Sequence, residues 1–135
     1  MKKLVISLDG HSGCGKSTLA KLIANHLKFT YVDTGAMYRA MTLFFVQNDL
    51  IGSDYKLKNG FQNILDEINI DFINQFSDNL GLVRLNGKVV EKEIRNISIS
   101  NLVSHISKNQ IIRNKLVALQ QNYAFTDNLV MDGRD

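Results

Sequence analysis

Hydrophobic and polar positions follow two different periods along this chain, and the places where the period changes outline its architecture. Leu4-Val5-Ile6-Ser7-Leu8 is a short apolar, β-branched run with the length of a buried strand. Leu19, Leu22, Ile23 and Leu27 then recur at helical spacing and predict a helix. Phe29-Thr30-Tyr31-Val32 predicts a second strand, which runs into Asp33-Thr34-Gly35. Met37, Ala40, Met41, Phe44 and Phe45 stripe a second helix, with its exit over residues 48–53. A third helix is predicted over residues 55–65, with Phe61, Ile64 and Leu65 on one face.

At about Ile68 the pattern becomes that of paired strands. Ile68, Ile70 and Phe72 alternate with neighbouring residues, and Leu82-Val83-Arg84-Leu85 and Lys88-Val89-Val90 flank Asn86-Gly87, the strongest short hairpin signal. Residues 68–97 therefore read as a small antiparallel insert in a core made of residues 1–67 and 98–135. Leu102, Val103 and Ile106 predict a helix, and Ile111, Ile112, Lys115, Leu116, Leu119 and Tyr123 a longer one. Leu129-Val130-Met131 closes the pattern as an apolar strand ending in Asp132-Gly133-Arg134-Asp135. Such a core holds three parallel strands at most and leaves an edge unpaired, so the expectation is a piece of a longer protein.

Bulk properties narrow the class. At 135 residues, 44% hydrophobic and 21% charged, the chain suits one soluble globular unit and is too apolar for a disordered one. The net charge of +3 is mild, and no dense Lys/Arg run with interleaved aromatics is present, so nucleic acid is not an expected partner. Cys14 is the single cysteine, which rules out an intrachain disulfide and fits a reducing compartment. Asp9 ends the first apolar run short of a signal-peptide core, and no run is long enough to span a bilayer, so a cytoplasmic location without membrane contact is expected.

Between the first strand and the first helix lies the candidate chemistry. Gly10-His11-Ser12-Gly13-Cys14-Gly15-Lys16-Ser17 fills every fixed position of the GxxxxGK[ST] phosphate loop, in the strand–loop–helix context that loop requires. Glycines let successive backbone N–H groups turn inward around a polyphosphate. Lys16 supplies a point charge for the β- and γ-phosphates, the Ser17 hydroxyl suits Mg²⁺, and the helix start presents free N–H groups to the same oxygens. Asp132, after an apolar strand, stands where such proteins place a carboxylate beside the metal. Arg39, soon after a strand end, can clamp a phosphate bidentately.

Taken together, Asp9-Gly10 through Thr18-Leu19-Ala20, Tyr31-Val32-Asp33-Thr34-Gly35-Ala36-Met37-Tyr38-Arg39-Ala40, Glu93-Ile94-Arg95 and Val130-Met131-Asp132-Gly133-Arg134-Asp135 closely resemble the bacterial cytidylate kinases. The resemblance runs from Lys3 to the last residue. It implies an α/β P-loop fold of the nucleoside monophosphate kinase kind, a parallel sheet with helices on both faces, and an antiparallel nucleotide-binding insert. It also implies that the later core strands and an arginine-bearing lid lie outside these 135 residues. By the same resemblance, Gly10, His11, Ser12, Gly13, Cys14, Gly15, Lys16, Ser17 and Thr18 would hold ATP. Thr34 and Arg39 would contact the CMP phosphate, while Ser104, Arg113 and Asp135 would read cytosine with Arg134 beside them. Lys16, Arg39 and Arg134 would be catalytic, and Ser17 and Asp132 would serve Mg²⁺, the latter directly or through water.

The implied reaction is in-line phosphoryl transfer from ATP to CMP or dCMP, by a protein that is a monomer at full length. A nucleoside monophosphate, with a second pKa of about 6, needs no base to remove a proton. Catalysis is then positioning and charge stabilisation. A carboxylate at Asp135 would accept from the cytosine amino group and repel the carbonyl of uracil. Without lid arginines, these residues alone are expected to turn over poorly or not at all. Three alternatives stand beside this: another P-loop small-molecule kinase, a GTP switch, disfavoured because no guanine-reading segment is present, and a nucleotide-binding fragment without catalysis.

Overall fold

The computed structural model describes residues 3–10, 15–73 and 81–133. The chain divides into two compact units, one of Met1–Gly35, Phe72–Leu82 and Val117–Asp135, the other of Ala36–Asp71 and Val83–Leu116.

The first unit is built on a parallel sheet of β1 (Val5–Leu8), β2 (Thr30–Asp33) and β6 (Leu129–Asp132), in the order β1-β6-β2. All four β6 residues are buried. That is why this strand is a continuous apolar run, as expected of a strand covered on both faces. Pairing brings Leu8, Asp132 and Asp33 level at the carboxyl ends of their strands. Helix α1 (Lys16–Leu27) packs on β6 and β2 through Ala20 and Ala24, which cluster with Tyr31 and Val130. The buried face is thus the small-residue one. Leu19, Leu22 and Leu27, whose spacing predicted the helix, are exposed, and only Ile23 of that set packs against the core. The reason is steric: alanines one turn apart let the helix lie close on the sheet, where leucines would hold it off.

Within this unit Tyr31 is held on several sides. Its ring meets Phe72 edge-on at 6.2 Å, Lys21 lies 5.5 Å from its centroid, and the backbone of Gly81 presses against it. Gly81 has φ +84°, and a Cβ there would stand 2.5 Å from Tyr31 Cδ1.

The second unit takes most of α2 (Thr34–Gln47). Every residue from Ala36 to Phe45 except Arg39 is buried, so the helix is a core element rather than an amphipathic surface one. Thr42 fits there because its hydroxyl donates to the carbonyl of Tyr38, 2.8 Å away. The helix expected over residues 55–65 does not form. Ile51 and Leu57 make a short antiparallel bridge, Tyr55 takes φ +63°, Gly60 takes φ +90°, and a 3₁₀ helix follows over Phe61–Glu67. Phe61 is buried against Phe45, ring centroids 6.0 Å apart. A 3₁₀ turn satisfies the spacing of Phe61, Ile64 and Leu65 as well as an α turn does.

A small antiparallel sheet orders β3 (Ile70–Phe72), β4 (Val83–Leu85) and β5 (Lys88–Val89) as β3-β4-β5. Asn86 (φ +50°) and Gly87 (φ +83°) make the β4–β5 turn, the two-residue left-handed pair that the sequence signal requires. Arg84 clamps Asp71 across the sheet with bonds of 2.8 and 2.6 Å. After a 3₁₀ turn at Glu93–Arg95, Asn96 caps α3 (Ile97–Ile106) by accepting from the Ile99 amide at 2.8 Å. Asn109 likewise accepts from the Ile111 and Ile112 amides at the start of α4 (Gln110–Thr126). No helix among the described residues is long and apolar enough to cross a membrane.

Gly81 and Gly87 have nearly the same φ, but only Gly81 faces an occupied ring, a Cβ at Gly87 meeting nothing within 4 Å. Gly87→Ala is expected to cost about 1 kcal/mol through backbone strain alone. Gly81→Ala should cost about 1–3 kcal/mol more, because Tyr31 must shift. Urea unfolding of the two variants checks the order, and equal midpoints would show that Tyr31 yields freely.

Candidate active site

The site in the first unit is assembled by Asp132, the last residue of the central strand. Its position follows from the pairing: β6 ends level with β1 and β2, so this carboxylate stands at the sheet edge where α1 begins. Gly15, with φ +87°, turns the chain into α1 at its N-cap, and Lys16 and Ser17 are the first helical residues. Lys16 Nζ lies 2.6 Å from Asp132 Oδ1. Ser17 Oγ donates to Asp132 Oδ2 at 2.6 Å, and Tyr31 Oη donates to the same oxygen at 3.0 Å. Apart from the Lys16 ion pair, no group among the described residues donates to Oδ1.

The backbone of Asp132 is tied as well. Its carbonyl accepts from Thr34 Oγ1 at 3.2 Å, and the next amide, of Gly133, donates to Leu8 O at 3.0 Å. Gly133 has φ +85°, and a Cβ there would collide with Thr34 Oγ1. A glycine after the carboxylate is therefore a steric requirement of the Thr34 contact.

Asp132 is 2% exposed, and its ionisation is decided by competition. Burial pushes its pKa up, but hydrogen bonding by Lys16, Ser17 and Tyr31, together with the Lys16 charge, outweighs burial and leaves it below the ordinary carboxylate value. Lys16 moves the opposite way. Its bond to Asp132 raises its pKa, burial opposes this, and the charges of Asp132, Asp33 and Asp9 add to the rise. Burial, followed by the charges of Asp33 and Asp132, pushes the Tyr31 phenol far up, so it remains a donor.

A hydroxyl and a carboxylate are hard oxygen ligands, and Mg²⁺ takes only one or two protein ligands beside phosphate oxygens and water. Ser17 and Asp132, already within hydrogen-bond distance of one another, fit that donor set. Among the described residues no group of three or more His, Cys, Asp and Glu forms a metal cluster of its own.

The remaining candidates fall into separate places. Gly10 and Thr18 are exposed on either side of the loop, whose His11, Ser12, Gly13 and Cys14 lie outside the described residues, as do Arg134 and Asp135. Thr34 is buried and joins Asp132. In the second unit Arg39 Nη1 donates to Ile94 O at 3.3 Å and to Ser100 Oγ at 2.8 Å. Ser104 and Arg113 meet at Ser107: the Ser107 hydroxyl donates to Ser104 O at 3.3 Å, and Arg113 Nη1 approaches Ser107 O at 3.5 Å. Sequence reasoning missed Tyr31 and Ser100. Neither left a local signal, because each meets its partner, Asp132 or Arg39, only through the tertiary fold.

A glycine loop leaving a parallel strand, a lysine and serine opening the next helix, and an aspartate ending the neighbouring strand define a P-loop α/β protein of the kinase type. Comparison with known proteins specifies it further. The cytidylate kinase family model matches residues 6–135. The chain is 47% identical over its whole length to the cytidylate kinase of Flavobacterium johnsoniae, covering 59% of that protein, and 41% identical to that of Cytophaga hutchinsonii, covering 56%. A second Flavobacterium protein of that name, from F. psychrophilum, is also 47% identical, with 60% covered. The chain belongs to the cytidylate kinase family, and it spans less than two thirds of the length of these curated relatives.

Because the folded-state pKa of Asp132 is depressed, its contribution to stability is complete above the unfolded value of about 4 and is lost as pH falls through the lower folded value. The raised Lys16 contributes fully below about 10.5 and loses its contribution as pH rises through its folded value. Asp132→Asn is expected to destabilise the chain by about 1.5–3 kcal/mol near pH 7. The loss should shrink as pH falls below about 4, where the unfolded chain takes up the proton first and the contribution of the carboxylate declines. Thermal unfolding from pH 3 to 8 checks this, and a loss independent of pH would assign the effect to shape alone.

Proposed function

We propose that the protein containing this chain catalyses ATP-dependent phosphorylation of CMP or dCMP to the diphosphate. The observation that supports it best is the joined Lys16, Ser17 and Asp132 at the carboxyl end of the parallel sheet, in a chain of the cytidylate kinase family. In this reading an oxygen of the CMP phosphate attacks the γ-phosphorus of ATP in line, the bond from that phosphorus to the β,γ-bridging oxygen breaks, and ADP leaves. The attacking phosphate is already largely ionised near neutral pH, so no side chain need act as a base.

Lys16 then exchanges Asp132 for the phosphate oxygens of ATP and neutralises charge that develops on the transferring group. The loop residues 10–18 bind the triphosphate with backbone N–H groups. Ser17 and Asp132 would hold Mg²⁺, which supplies charge neutralisation and alignment of the phosphates. Tyr31 and Ser17 keep the Asp132 carboxylate aimed by donating to Oδ2. Thr34 and Arg39 hold the CMP phosphate, Ser104, Arg113 and Asp135 read cytosine, and Arg134 lies beside the nucleotide. The antiparallel insert of residues 68–97 belongs to the monophosphate side.

The test is ADP formation from ATP and Mg²⁺ with CMP, dCMP, UMP or AMP as acceptor, run on the chain and on the natural gene product that contains it. CMP-selective turnover in the gene product supports the reading, and Lys16→Met is expected to lower kcat by about 100-fold or more. Nucleotide binding without turnover in either would make this a binding protein. Turnover with another acceptor, and none with CMP, would make it a different P-loop kinase.

A further inference from the structure

Among the described residues, Arg39 is anchored at one nitrogen only. Nη1 gives its two hydrogens to Ile94 O at 3.3 Å and Ser100 Oγ at 2.8 Å. No hydrogen bond or ion pair among the described residues uses Nε or Nη2. A guanidinium offers five N–H donors in a planar fork, and the edge formed by Nε and Nη2 can take two oxygens of one phosphate in parallel. The anchored nitrogen is the one that this edge leaves out.

The two anchors are themselves fixed. Ile94 is fully buried in the 3₁₀ turn Glu93–Arg95, and its amide donates to Val90 O at 3.0 Å. Ser100 lies in the first turns of α3, where its amide donates to Asn96 O at 3.1 Å and Asn96 caps the helix. Ser104, one turn further on, shares the same face of α3.

We propose that Ser100 is a positioning residue for phosphate recognition: its hydroxyl, with the Ile94 carbonyl, holds Nη1 so that the Nε/Nη2 edge of Arg39 is presented to the phosphate of the acceptor nucleotide. This rests on the reading above in which Arg39 holds the CMP phosphate. Ser100 touches no substrate and acts through Arg39. Its contribution is preorganisation, since a long side chain already confined to one rotamer gives up less freedom when a ligand binds. A serine on an exposed helix face has no structural need for its hydroxyl, so Ser100→Ala removes the anchor and leaves a good helix former in its place.

The test compares CMP and cytidine binding by calorimetry for the chain, Ser100→Ala, Ser100→Thr and Arg39→Met, with KM and kcat measured on the natural gene product. Ser100→Ala is expected to weaken CMP by about three- to tenfold, the net size of one hydrogen bond, and to leave cytidine and ATP unchanged. Ser100→Thr, which keeps the hydroxyl, should restore CMP to within about twofold of the parent. In turnover the loss should fall on KM for CMP and not on kcat. If Arg39→Met weakens CMP while Ser100→Ala does not, the anchoring role is overturned and the phosphate role of Arg39 stands. Equal weakening of CMP and cytidine by Ser100→Ala would make Ser100 merely structural and overturn the proposal. If Arg39→Met leaves CMP untouched, or CMP does not bind at all, the phosphate reading fails and the positioning role falls with it.

Discussion

The buried carboxylate of Asp132 is the constraint to which the rest of the first unit is fitted. An ionised group at 2% exposure is tolerated only with strong partners, and among the described residues these are the ammonium of Lys16, the hydroxyl of Ser17 and the phenol of Tyr31. Those partners come from the start of α1 and from the inside of β2, so satisfying one carboxylate fixes helix against sheet at its most consequential end. The backbone at the same residue adds Thr34, and through Gly133 it adds Leu8. Packing elsewhere in the unit conforms to this. Ala20 and Ala24 allow α1 the close approach that puts Lys16 and Ser17 within reach, and Phe72 and Gly81 confine the ring whose hydroxyl completes the set.

In the second unit the corresponding problem is an arginine on an otherwise buried helix. Arg39 interrupts the apolar run of α2 and meets it with two neutral acceptors, a backbone carbonyl and a serine hydroxyl. Neither acceptor carries a charge, so the hydrogen bonds hold the guanidinium in place without cancelling its charge. By contrast Arg84, on the small sheet, is matched to Asp71 by a bidentate pair, which uses the same fork for structure.

Local features of the fold were legible in the chain because local chemistry determines them. Asn86-Gly87 must turn with two positive φ values, an apolar run as short as Leu129-Val130-Met131 can only be a covered strand in this context, and the glycine loop announces the helix after it. What periodicity could not tell was which face of α1 is packed. Leucines at helical spacing outweigh alanines on any hydrophobic scale, yet the sheet selects Ala20 and Ala24 because closeness, not hydrophobic area, is limiting there. In residues 55–65, the positive φ of Tyr55 and of Gly60 ended any α-helix before it began. Lys16, Ser17, Asp132 and Arg39 were readable as candidates from motif and position, and Thr34 from the family resemblance, whereas the pairing of Tyr31 with Asp132 and of Arg39 with Ser100 joins residues 101 and 61 positions apart and left no local trace.

The ion pair at the heart of the site makes the binding of any anion by Lys16 an exchange reaction. Lys16 does not wait as a bare cation: it is already neutralised by an internal anion, so a phosphate gains only the difference between itself and Asp132 as a counterion. Coulombic attraction to the lysine is largely cancelled in the net free energy, and what decides affinity is the fate of the released carboxylate. An anion that arrives with a divalent cation gives that carboxylate a new partner, whereas one that arrives alone strands it.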